Sequence, residues 1–95
     1  MQGIGKRFVY IIGSDTDTKR HYVGITQNVD DRLDWHNHGP SGHTVQNRPW
    51  SLVVVVEFPI ERAAIRFEQY LKSASGRAFA KRHFGESVGA AERTR

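Results

Sequence analysis

The sequence predicts an α+β fold: a three-stranded antiparallel sheet, elements in ββαβαα order, covered by helices. Three observations carry that expectation. Two short runs rich in β-branched and aromatic residues, 7–12 and 20–25, flank a polar turn and read as a hairpin. A later run, Trp50 to Phe58, contains five consecutive aliphatic residues and reads as a third strand. The segments 26–39 and 59 onward switch to a helical period. With 95 residues there is room for one domain and one modest core. A single domain is expected over 1–84, and a disordered tail over 85–95, whose small polar composition lacks the bulk to pack.

The first strand, Arg7 to Ile12, is expected to be mostly buried, and Gly13 to Lys19 forms a polar turn without an apolar anchor. Period-two alternation puts Phe8, Tyr10 and Ile12 on one face, and Tyr22 and Gly24 on one face of the second strand. If those faces coincide, two phenols converge. Gly24 would then leave open space beside Tyr22 for a ligand or another backbone. The alternative is two core aromatics with their hydroxyls at the edge.

Thr26 to Gly39 reads as a short helix capped by Asn28, with Asp30 and Asp31 in the first turn and Gly39 closing the end. Its inward stripe is unusual. Val29, Arg32, Leu33 and His36 share it, while Asp30, Asp31, Asp34 and Asn37 fall on the solvent face. An Arg and a His one turn apart either lie at the edge with their heads in water or sit at the rim of a pocket.

Pro40 to Pro49 has no periodicity and reads as a surface loop. Its His43, with His21 and His38, shows no ligand-like spacing with a Cys or a carboxylate, so no metal site is expected from these histidines. The unbroken apolar run of the third strand predicts cover on both faces. Pro59 suits a first helical turn, and Ile60, Ala63, Ala64, Phe67, Leu71 and Ala74 form a core stripe. Glu68 lies at the margin of that stripe, turned toward the polar side, as an i, i+4 partner for Lys72 or a solvated carboxylate. Ser75-Gly76 is expected to interrupt, leaving Arg77 to Phe84 as a short basic helix anchored by Phe79.

Composition narrows the function class. Fourteen Lys and Arg against ten Asp and Glu permit an anionic partner, with Arg77, Lys81 and Arg82 clustered late and Lys6, Arg7, Lys19 and Arg20 flanking the first two runs. The absence of cysteine excludes disulfides and thiolate metal sites. No apolar run is long enough to span a membrane and the start lacks a secretory pattern, so a cytoplasmic protein is expected.

Taken in order, these outliers resemble the GIY-YIG nuclease superfamily, particularly small stand-alone members related to the N-terminal incision domain of bacterial excision-repair nucleases. The resemblance runs from Phe8 to Phe84. Phe8-Val9-Tyr10 matches the first half-motif without its leading glycine, and Tyr22-Val23-Gly24 the second with Val for Ile. The Thr-then-Arg-then-His helix, Arg48-Pro49-Trp50 before the apolar strand, and Ala64, Glu68 and Lys72 follow at compatible spacing. Ile25 stands where excision-repair relatives often carry a lysine, and Ala80 where some carry an asparagine.

The resemblance implies divalent-metal-dependent hydrolysis of DNA phosphodiesters, in repair or recombination. Glu68 would hold a single Mg²⁺ or Mn²⁺, Arg32 would clamp the scissile phosphate, and one of Tyr10 and Tyr22 would take the water's proton. Tyr22 is favoured for water contact and Tyr10 for orientation, with His36 relaying the proton or orienting the base. Gly24, Lys72, Arg77, Lys81 and Arg82 are the expected nucleic-acid contacts, and branched, nicked or damaged duplex is the expected substrate. With no separate sequence-reading domain, a protein partner supplying specificity is a further expectation. A non-catalytic nucleic-acid-binding module on the same scaffold, or a protein-interaction domain, are the competing classes.

Overall fold

The computed structural model describes residues 5–40, 42 and 44–85. The expected disorder of the tail falls, apart from Gly85, outside these residues, as does His43. Strand β1 (Arg7–Ser14) pairs antiparallel with β2 (His21–Thr26) on one side and β3 (Trp50–Phe58) on the other, giving the order β2-β1-β3. Helix α1 (Val29–His38) lies between β2 and β3 in the chain, and α2 (Glu61–Leu71) and α3 (Ala74–Phe84) follow β3. The ββαβαα order is therefore the predicted one.

Alternation along β1 divides the interior into two clusters. Val9, Ile11 and Val23 turn to one face and pack with Ala64, Leu71 and Ala80 of α2 and α3. Tyr10 and Ile12 turn to the other, with Trp50, Tyr22, Val55 and Leu33 of α1. The sheet is thus a middle layer between α1 and the α2–α3 pair. Ala80, at the position where some relatives carry an asparagine, is buried in the apolar layer.

Several expectations need correction. The aliphatic run of β3 is not covered on both faces: β3 is an edge strand, with Leu52 44% and Val53 40% exposed. A register shift opposite Ile11 and Ile12, which pair with Val54 and Leu52, leaves Val53 as an extra residue. Ile60 is the N-cap of α2 and is exposed, with Pro59 outside the helix, and Ala74 is exposed at the start of α3. Ser75-Gly76 does not interrupt a helix. The break falls at Lys72 and Ser73, where the Ser73 hydroxyl accepts from Gly76 N–H at 3.1 Å and caps α3. Gly76 is buried because a Cβ there would run into the Tyr70 carbonyl and approach Leu71 Cα to 2.6 Å, so glycine lets α3 fold tightly back on α2.

The polar turn after β1 does have an anchor, though not an apolar one. Ser14 Oγ accepts from the N–H groups of Thr16 (3.1 Å) and Asp17 (3.0 Å) and donates to Asn47 O (2.7 Å). Asp15 N–H donates to Pro49 O at 2.8 Å. These bonds tie the hairpin to a short 3-10 turn, Val45–Asn47, within the 40–49 segment.

Candidate active site

The register of the β1–β2 pair decides the first question left by the sequence. Tyr10 faces Gly24 and Ile12 faces Tyr22, so the two tyrosines do share a face, with ring centroids 6.4 Å apart. The space above Gly24 is not open to a ligand. A Cβ there would collide with the Tyr10 ring and hydroxyl, so glycine lets the Tyr10 ring lie flat across β2.

Helix α1 supplies the next group. Asn28 Oδ1 accepts from Asp31 N–H at 3.0 Å, the predicted cap, and the helix then carries His36 onto the tyrosine face. His36 is 2% exposed. Its Nε2 lies 2.8 Å from Tyr10 Oη and its Nδ1 2.8 Å from Thr44 Oγ1, while the Tyr22 ring packs 4.9 Å from the imidazole. Burial first, then the positive charges of Arg32 and Arg48, lower the His36 pKa from its usual range to about 4. The ring is therefore neutral at pH 7, one nitrogen donating and the other accepting. Tyr10 is pushed above its ordinary value by burial and by Tyr22, against the opposing pull of Arg32, with Glu68 adding to the rise. It is a protonated phenol.

Arg32 stands at the rim rather than on the buried face. It is exposed, and its guanidinium lies 5.6 Å over the Trp35 ring. Glu68, on α2, has a side chain 16% exposed and is held by Lys72 Nζ at 2.6 Å. Its charge and that of Arg32 both reach Tyr10, while α2 belongs to the layer beyond the sheet from α1. Tyr10, Tyr22, His36 and Thr44 thus form one contiguous cluster, with Arg32 and Glu68 within electrostatic reach of it.

The remaining predicted contacts separate from this cluster. Arg77 is half-buried and donates from Nη1 to Lys72 O at 3.0 Å. Lys81 and Arg82 are exposed on the last turn of α3, across the sheet from Tyr10. Lys6, Arg7 and Arg20 each face a carboxylate, Glu57, Glu61 and Asp17, at 3.3 to 3.4 Å.

Several residues of the site carried no clear sequence signal. Thr44 is a lone polar residue in an aperiodic segment, yet it is buried and sets the imidazole. Asn37 was expected on the solvent face of α1. Instead its amide brackets the Trp50 backbone, donating to Trp50 O at 3.0 Å and accepting from Trp50 N–H at 2.6 Å. Arg48 donates to His36 O at 2.6 Å and to Gly39 O, satisfying the carbonyls at the end of α1. The signal that could have found Arg48 was its place in Arg48-Pro49-Trp50.

The family model for the GIY-YIG catalytic domain matches residues 6–83. The chain belongs to the GIY-YIG family. Membership places it in a nuclease superfamily whose members act on DNA and are generally divalent-metal dependent. No curated protein matches the chain. Among the described residues no helix is long and apolar enough to cross a membrane.

Proposed function

We propose that this GIY-YIG domain is a divalent-metal-dependent endonuclease that hydrolyses DNA phosphodiesters in the cytoplasm, in repair or recombination, on branched, nicked or damaged duplex. The observation that carries the reading is the buried Tyr10–His36–Thr44 line with Tyr22 against it. A stabilising fold has little use for three buried polar groups in series, whereas proton handling needs them fixed.

The donor set suits a hydrated ion. Among the described residues no three His, Asp or Glu side chains converge, and one carboxylate is enough for a largely hydrated Mg²⁺. Glu68 would hold it, and Lys72, its present partner, would turn to the phosphate. When bound, the ion supplies neutralisation of charge growing on the phosphoryl oxygens and a more acidic water. Arg32 clamps the phosphate through its planar fork. Tyr22 contacts the attacking water and takes its proton. Tyr10 stays protonated and fixes the geometry, because burial opposes its ionisation. Neutral His36 holds Tyr10 in place through the Nε2–Oη hydrogen bond.

The test is cleavage of branched, nicked and single-stranded DNA with Mg²⁺ or Mn²⁺. Cleavage that falls roughly 10²–10³-fold in Glu68→Gln and in Tyr22→Phe, with DNA binding retained, is the expected result. Binding without cleavage by the native protein, while a control nuclease cuts the same substrates, would overturn it. The Glu68–Lys72 ion pair favours one competing reading, a non-catalytic binding module. Salt-dependent binding unchanged by Glu68→Ala, together with no cleavage, would support that reading instead.

A further inference from the structure

Tyr22 and Thr44 border the Tyr10–His36 line on one side and, on the other, wall a cavity of about 440 Å³. Arg20, just before β2, Gln46 and Asn47 of the 3-10 turn, and Trp50 complete the part of the wall that matters. Among the described residues no carboxylate lines it. The side-chain amides of Gln46 and Asn47 have no hydrogen-bond partner among the described residues, so two donor–acceptor pairs face an unfilled space.

The wall is built rather than loose. Ser14 Oγ donates to Asn47 O at 2.7 Å, and Trp50 Nε1 donates to Thr44 O at 2.7 Å. The amides therefore project from a backbone fixed to both the hairpin and β3. The volume falls in the range of about 300–1,000 Å³ usual for small-molecule sites.

We propose that this cavity receives the unstacked base of the nucleotide beside the scissile phosphate, making an unpaired nucleotide at that position a requirement for tight binding. The position of the phosphate, at Arg32 and Tyr22, rests on the nuclease reading above. The chemistry of the wall matches a base. Planar amides match the paired donor and acceptor of a base edge, and the Tyr22 ring offers a stacking face. Arg20 brings positive charge to the mouth, shared with Asp17 at 3.4 Å, where the next phosphate of the strand would pass. A base inside a duplex must first be unpaired and unstacked, whereas a bulged or flap nucleotide is already free, so the cavity selects for distorted DNA.

The experiment is binding, read by fluorescence anisotropy, of three labelled duplexes: fully paired, with one bulged nucleotide, and with an abasic bulge. The native protein is expected to bind the bulged duplex about tenfold more tightly than the other two. Gln46→Ala with Asn47→Ala should reduce that ratio to about twofold and leave affinity for the paired duplex unchanged. Exposed Gln46→Ala alone should lower the ratio part-way, and serves if the double variant does not fold. An abasic bulge bound as tightly as the intact one would show that bending, not the base, is read, and would overturn the proposal. So would a native ratio near one, or a ratio the variants leave intact. Because binding is measured, a parallel failure to cleave with Mg²⁺ overturns the nuclease reading alone.

Discussion

The two faces of the sheet are built from alternate residues of the same strands and have opposite chemistry. Toward α2 and α3, Val9, Ile11 and Val23 meet Ala64, Leu71 and Ala80, an apolar layer whose worth lies in area removed from water. Toward α1, Tyr10 and Tyr22 meet His36, whose two ring nitrogens bond Tyr10 and Thr44, beside a smaller apolar cluster of Ile12, Trp50, Val55 and Leu33. One face holds the fold. The other spends part of that stability on keeping a neutral imidazole and a protonated phenol in place, and the cost is bearable because Asn37, Arg48 and Trp50 lock the surrounding backbone.

Substitutions on the two faces should separate stability from activity. Leu71→Ala, which opens a cavity in the apolar layer, should lower unfolding free energy by about 2–5 kcal/mol, measured by urea titration, with cleavage at low temperature little changed. Acidification probes the opposite face. His36 stays neutral in the fold down to about pH 4, whereas an unfolded histidine protonates near pH 6.5, so between those values the unfolded state binds more protons and stability falls with pH. The loss from pH 7 to 4 should be on the order of 2–3 kcal/mol and should vanish in His36→Gln. A loss of the same size in that variant would remove the histidine from the explanation.

A smaller effect is expected from Gly24→Ala, which forces the Tyr10 ring off β2. It should cost about 1–3 kcal/mol and lower kcat more than Leu71→Ala does, despite adding a single methyl group. Smallest in stability is Tyr10→Phe, about 1–2 kcal/mol, because it leaves one imidazole nitrogen without its partner. Its signature is kinetic: kcat per folded molecule falls while KM holds, whereas a fall in apparent kcat that only matches the unfolded fraction, measured by circular dichroism, would mark Tyr10 as a packing residue.

How far the sequence reached differs between these faces. The apolar face was readable from periodicity, since Val9 and Ile11 alternate and Ala64 and Leu71 recur at helical spacing. The polar face was readable only where a side chain contradicted its pattern: His36 on an inward stripe, two tyrosines among β-branched neighbours, a glycine within a strand. Thr44 and Asn37 contradicted nothing and stayed invisible.

Local chemistry by itself determined the hairpin, the Asn28 cap, the helical stripe of α2 and the pairing of polar outliers with a nuclease family, because each depends on neighbours within a turn or two along the chain. Tertiary structure decided what depends on which strands sit side by side. It put β3 at an edge and left Leu52 and Val53 exposed although its aliphatic run resembles a central strand, since β-branched residues favour extended backbone wherever the strand ends up in the sheet. It also filled the gap over Gly24 with Tyr10 and brought Thr44 to His36, contacts spanning 14 and 8 residues that no local pattern encodes.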